Sequence, residues 1–142
     1  MANASYLPEE FQVIYPTNLT EEFWDRCNRQ ELAFQRCSDC GTFRHPPMPF
    51  CYNCHSFATE WVPVSGEGTV FTFTIVTHPL SPSLSEVVPY NVALVEFPDA
   101  PGVRLASNVV DAEPEEMKTG MAVRLHWEGP INGQTMPRFE KA

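Results

Sequence analysis

The chain has 142 residues, of which 43% are hydrophobic, and a formal net charge of −9. This length fits one domain with a small appendage, and the apolar fraction excludes an intrinsically disordered chain. No apolar run approaches the ~20 residues of a membrane span. The excess of acidic residues disfavours nucleic acid as a partner, and it also disfavours binding of the coenzyme A phosphates by this chain alone.

The N-terminal segment, residues 1–19, is an arm that is unusually apolar for a solvated tail. It has no basic region followed by an apolar stretch, so we expect no secretory signal and a cytoplasmic location. Pro8 and Pro16 argue against one continuous helix. We expect the arm either to fold back on its own domain or to dock on another subunit, using Tyr6, Leu7, Phe11, Val13, Ile14 and Tyr15.

Residues 20–32 are predicted to form a helix. Thr20 is a suitable N-cap, and two glutamates follow it in the first turn. Phe23, Trp24 and Cys27 fall on one face at helical spacing. Because Cys27 shares this apolar face and no histidine lies near it in the sequence, we interpret it as a buried thiol and not as a nucleophile.

Four cysteines follow in "RCSDCGTFRHPPMPFCYNC", residues 36–54. Two Cys-x-x-Cys pairs among Gly and Pro predict a tetrahedral metal site with four thiolate ligands, Cys37, Cys40, Cys51 and Cys54. Zinc is favoured, and iron in a rubredoxin-like site is the alternative. Such a site is closed to substrate and is therefore structural. The nearby His45 and His55 are interpreted as surface residues.

The pattern around and after the cysteines predicts a mainly β fold. "LAFQRC" and "TEWVPV" are expected to be short strands that flank the metal site. Beyond "SGEG", five alternating segments follow: "TVFTFTIVTH", "YNVALVEF", "VRLASNVV", "MAVRLHWE" and "QTMPRFE". Phe71, Phe73 and Ile75 alternate with threonines in the first, and Pro137 makes the last an edge strand.

Five strands without long intervening helices favour an oligonucleotide/oligosaccharide-binding (OB) barrel, with an open five-stranded sandwich as the alternative. The predicted organisation is an arm and helix over 1–32, a zinc ribbon over 33–64 and the barrel over 65–142. The connection at 78–90 is a candidate contact surface, or else a cover for one mouth of its own barrel. We identify no catalytic residue: His126 alternates with Leu125 and Trp127 and is interpreted as a surface residue, whereas His78, at the start of the 78–90 connection, leaves a site there conceivable. No cofactor-binding residue can be assigned.

The chain resembles a family of zinc-ribbon/OB-fold proteins once called a domain of unknown function. The resemblance lies in "EEFWDRCNRQELAFQRC", "CGTFRHPPMPFCYNC", "EWVPVSGEGTVFTFTIV", "VPYNVALVEF", "GVRLASNVV" and "MPRFEKA". It implies a rubredoxin-like zinc ribbon and an accessory, non-catalytic subunit that partners a thiolase-like acyl-CoA enzyme, in a complex expected to be a heterotetramer. The implied chemistry is carbon–carbon bond formation or cleavage by a thiolase, an acyltransferase or an aldolase of steroid or lipid degradation.

Two other functions remain open from the sequence. The first is an acyl-CoA-binding module, with acyl-CoA held by the barrel face or the 78–90 connection, alone or through the complex. The second is a nucleic-acid-binding OB protein, which rests on fold analogy alone and which the net charge of −9 makes the weakest of the three.

Overall fold

The computed structural model describes residues 5–142. In this range lie one α-helix, α1 (Glu21–Asn28), and eight strands: β1 (Ala33–Cys37), β2 (Phe43–Arg44), β3 (Thr59–Pro63), β4 (Glu67–Val76), β5 (Tyr90–Phe97), β6 (Ala100–Ser107), β7 (Ala122–Ile131) and β8 (Gln134–Lys141). Single 3-10 turns occur at Glu9–Phe11, Pro82–Leu84 and Pro114–Glu116. None of the helices described is long and apolar enough to cross a membrane.

The strands form two antiparallel sheets. The small sheet has the order β2-β1-β3 and carries the cysteines at its end. The large sheet has the order β6-β5-β4-β7-β8. It curls until its two outer ends meet, where Val109, just after β6, forms a parallel bridge with Phe139 of β8. This closure is that of an OB barrel, so the predicted mainly β fold is confirmed and the open sandwich is not what forms.

The helix, the small sheet and the barrel share one hydrophobic core. Phe34 of β1 is fully buried and lies 5.2 Å, centroid to centroid, from Phe97 of β5. Phe23 and Cys27 project into the same cluster from α1, which confirms Cys27 as a buried thiol. Burial raises the pKa of Cys27 to about 12, so this thiol stays protonated.

The helix is shorter than the predicted 20–32. It starts after Thr20 as expected but ends at Asn28. Gln30 then adopts a left-handed backbone conformation, with φ of 57°. This turn redirects the chain so that Leu32 and Ala33, both almost fully buried, enter the core at the start of β1.

The arm folds back on its own barrel along residues 5–12. The backbone N–H of Tyr6 donates to the Glu128 carboxylate at 2.9 Å, and the Tyr6 hydroxyl accepts from the Asn91 side chain at 2.9 Å. Gln12, 1% exposed, accepts a hydrogen bond from the Arg138 guanidinium at 2.7 Å. The second half of the arm is different: Val13 and Tyr15 are exposed, Tyr15 at 86%.

The 78–90 connection divides its apolar side chains between core and solvent. Leu84, in the 3-10 turn, is 5% exposed, whereas Leu80 is 83% exposed. Val87 and Val88 are half-buried. This segment therefore buries the side chain of Leu84 and presents that of Leu80 to solvent.

Candidate metal centre

Two backbone turns with the same hydrogen-bond pattern, residues 37–42 and 51–56, present the four cysteines; we call them the two knuckles. In the first, the N–H of Gly41 donates to the carbonyl of Cys37 and the N–H of Cys37 donates to Thr42. In the second, the N–H of His55 donates to the carbonyl of Cys51, and the N–H of Cys51 donates to Ser56. The residue after each second cysteine is left-handed, with φ of 78° at Gly41 and 64° at His55, and glycine adopts that conformation without strain.

The four sulfurs converge on one point. All four Sγ atoms lie within 4.8 Å of one another. Sγ of Cys37 is 3.5 Å from Sγ of Cys54, and Sγ of Cys40 is 3.6 Å from Sγ of Cys51. A tetrahedral zinc–thiolate centre with bonds of about 2.3 Å needs sulfurs about 3.8 Å apart. The donor set therefore fits zinc, which agrees with the expected structural zinc.

The electrostatics of the cluster also call for a cation. Hydrogen bonding with Thr42 lowers the pKa of Cys40 to about 6. At Cys54, a backbone N–H at Ser56 acts to lower the pKa, but the neighbouring sulfurs of Cys37 and Cys40 raise it to about 12. Four thiols this close do not all ionise unaided, whereas a divalent ion stabilises all four thiolates.

The two histidines near the knuckles occupy different environments. His55 is exposed, as expected. The interpretation of His45 as a surface residue is wrong: its ring packs 5.0 Å from Phe23 and 5.2 Å from Phe34, and its Nδ1 is buried with no hydrogen-bond partner. Desolvation lowers the pKa of His45 to about 4, so the ring is neutral at pH 7. The two prolines after His45 could have indicated a packed turn.

A four-sulfur ribbon that shares its core with a closed five-stranded barrel defines a zinc-ribbon/OB-fold protein. Residues 24–60 match the family model described as the ChsH2 rubredoxin-like zinc ribbon domain, and residues 61–128 match that of the ChsH2 C-terminal OB-fold domain. The chain belongs to the DUF35 family, of which these two domains are the ChsH2 form. The resemblance seen in the sequence is confirmed.

Similar proteins occur in bacteria and archaea. The chain is 37% identical over 126 residues to a probable enoyl-CoA hydratase alpha subunit of Thermomonospora curvata. It is 39% identical over 105 residues to the 3-oxo-4,17-pregnadiene-20-carboxyl-CoA hydratase alpha subunit of Mycobacterium tuberculosis. These matches cover 88% and 74% of the chain, but the chain spans only 38% and 32% of those relatives. A DUF35 domain-containing scaffold protein of Pyrococcus furiosus is 39% identical, with 68% of each protein covered.

Two solved structures share the fold. A chain of the structure described as the Ltp2-ChsH2(DUF35) aldolase superposes with a TM-score of 0.81 at 32% identity, covering 91% of this chain and 98% of that one. A DUF35 protein of unknown function from Sulfolobus solfataricus superposes with a TM-score of 0.65 at 20% identity, covering 94% and 92% of the two chains. The second likeness concerns the fold alone.

Proposed function

We propose that this chain is a non-catalytic accessory subunit of a thiolase-like acyl-CoA enzyme, which it stabilises and whose substrate site it completes. The observation that carries the proposal is the likeness, at 32% identity over 98% of its length, to a chain of the Ltp2-ChsH2(DUF35) aldolase. The reaction class that follows is carbon–carbon bond cleavage or formation, such as a retro-aldol step in side-chain degradation. We place this complex in the cytoplasm.

Cys37, Cys40, Cys51 and Cys54 are the proposed ligands of one structural zinc. When bound, the ion supplies no Lewis-acid chemistry to a substrate, because four sulfur donors leave no open coordination position. It fixes the two knuckles relative to each other, and thereby holds the loop between them against the shared core. The proposed organisation of the chain is an arm and helix over 1–32, a ribbon over 33–64 and a barrel over 65–142.

The names of the bacterial relatives support acyl-CoA as the substrate class. Both names refer to an acyl-CoA substrate, and the name of the Mycobacterium tuberculosis relative refers to a steroid. These relatives are hydratase subunits about three times as long as the match, since the match covers 38% and 32% of them. We therefore infer a second, compatible role, in which the chain brings a hydratase and a carbon–carbon bond enzyme together.

Co-expression with a thiolase-like protein of the same organism tests the proposal. We expect a complex with two copies of each chain in size-exclusion chromatography with light scattering, because thiolase-like enzymes usually dimerise. Cleavage of the acyl-CoA substrate should depend on both chains. Separate elution of the two proteins, or full activity of the thiolase-like protein alone, would refute it.

A further inference from the structure

An apolar groove of about 230 Å3 lies where the helix, the ribbon and the barrel meet. Its apolar walls come from α1, from the loop after β2, and from strands β6 and β8: Phe23, Trp24, Pro46, Pro47, Leu105 and Met136. Three parts of the fold thus build one surface. The groove keeps its shape only while the ribbon holds its position against the barrel.

The polar groups at the groove offer no free charge to a ligand. The guanidinium of Arg138 is occupied by its own chain, donating to Gln12 at 2.7 Å, to Asn108 at 2.9 Å and to Glu128 at 3.4 Å. The imidazole of His45, which also lines the groove, is neutral at pH 7 because its pKa is lowered to about 4. Nothing here compensates the charge of a phosphate.

Two exposed apolar residues adjoin groove residues in the sequence. Leu19, next to the groove residue Thr20, is 40% exposed, and Met48, next to Pro47, is 44% exposed. Residues 45–59 contain no Asp, Glu, Lys or Arg, although the chain as a whole carries a net charge of −9. The groove itself is lined by apolar and neutral groups apart from Arg138, whose charge is paired within the chain, so it complements an apolar protein surface and not a polyanion.

The size of the groove selects among occupants. Small-molecule and cofactor sites are usually about 300–1,000 Å3, larger than this one. A large side chain from a protein partner fits better, and such buried aromatic anchors carry much of the free energy of protein interfaces.

We propose that this groove is a docking pocket for an aromatic anchor side chain of the thiolase-like partner, with Leu19 and Met48 as flanking contacts. The inference rests on the proposed function and specifies the surface that performs it. Exposed Tyr15 and Leu80 lie elsewhere on the arm and on the 78–90 connection and are not needed for it.

The test is to fill the groove without disturbing the core. Ala106, an exposed residue of β6, lines the groove, so Ala106→Phe places a ring at its opening. Ala122→Phe is the matched control, because Ala122 is an exposed strand alanine that does not line the groove. Calorimetry with the purified thiolase-like protein should give at least about tenfold weaker binding for Ala106→Phe and unchanged binding for Ala122→Phe.

A second variant guards against misfolding. Leu19→Ser combined with Met48→Ser changes two exposed flanks and should also weaken binding by about tenfold. Wild-type affinity in both variants overturns the docking pocket while the accessory role stands; failure of the unmodified chain to bind overturns both. Saturable binding of a long-chain acyl-CoA to the chain alone, lost in Ala106→Phe, would also overturn the inference by making the occupant a ligand.

Discussion

At the scale of single residues, the burial of His45 makes the stability of the fold depend on pH. Its imidazole lies between two phenylalanines and has no partner for Nδ1. Its pKa falls from 6.5 to about 4 because burial disfavours the charged form. Above pH 6.5 both the folded and the unfolded chain hold a neutral imidazole, so this group then contributes nothing to the pH dependence. As the pH falls towards 4, only the unfolded chain takes up the proton, and stability declines.

Replacing His45 by Phe should remove this dependence while keeping an aromatic ring in the cluster. Between pH 6.5 and 4, the free energy of unfolding of the wild type should fall by about 2 kcal/mol more than that of His45→Phe, after allowance for partial exposure of the ring. Urea unfolding of the zinc-loaded proteins at several pH values measures the difference. Release of zinc at low pH should destabilise both proteins equally, so it cancels in the difference between their free energies of unfolding. Parallel stability curves would contradict the burial argument.

At the scale of elements, the period-two pattern located each barrel strand but not every side-chain direction. In β4, the alternation of Phe71, Phe73 and Ile75 with threonines predicts that the three apolar side chains share one face. A β-bulge intervenes, since Val70 pairs with Val95 and Thr72 with the adjacent Leu94. Val70 is buried and Phe71 turns outward, where the guanidinium of Arg104 lies 3.7 Å from its ring centroid. A bulge depends on cross-strand partners, which the alternation within one strand does not report.

Some short motifs do report such long-range contacts. "VSGEGTV" was part of the family resemblance, and its Gly68 shows why. A Cβ at Gly68 would lie 2.5 Å from the backbone oxygen of Glu96 and 2.8 Å from Val95. Strand β5 therefore approaches too closely for any side chain. The cysteine spacing was equally informative, because each pair is read from a local turn, whereas burial of His45 depends on a helix that precedes it by 17 residues or more.

The sequence leaves open whether the arm folds back or docks on another subunit; in the structure residues 5–12 fold back on the barrel, while Val13 and Tyr15 stay exposed. Tyr6 fixes the start of the arm to Asn91, which in turn holds Val109 through two hydrogen bonds of 2.8 Å next to the barrel closure. Tyr6→Phe removes the acceptor of two Asn91 N–H groups and should cost about 1–3 kcal/mol. Tyr15→Phe, at a residue 86% exposed, should change stability by less than about 0.5 kcal/mol.

Hydrogen exchange distinguishes local release of the arm, caused by loss of the Tyr6–Asn91 hydrogen bonds, from a general loss of stability. In Tyr6→Phe, amides of residues 6–12 should exchange faster than in Tyr15→Phe, while amides of β4 and β7 keep their protection. Unchanged exchange along the arm, with wild-type stability, would show that the Tyr6 hydroxyl does not anchor the arm.

At the scale of the whole molecule, two different interactions hold the ribbon: apolar packing joins its strand β1 to the barrel, and the metal orders the segment that carries the other cysteines. Phe34 enters the shared core from β1, so this strand is held by the barrel itself. The segment beyond it, residues 38–58, buries few apolar side chains: Pro47 and Cys51 are buried, and Phe43 and His45 are half-buried against the core. This packing is too little to offset the entropy of ordering the segment, so its local order depends on the zinc.

Removing zinc from the intact chain should consequently loosen the knuckles and leave the barrel folded. After treatment with a chelator, amides of residues 38–58 should lose protection from exchange, while Val95 and Val123, both buried strand residues, keep theirs. Pro46, Pro47 and Met48 lie in the loosened segment, so binding of the thiolase-like partner should weaken with the metal and return when zinc is restored. Unfolding of the barrel together with the ribbon would show that the metal holds the shared core; unaltered exchange over 38–58 would show that the knuckles are stable without it.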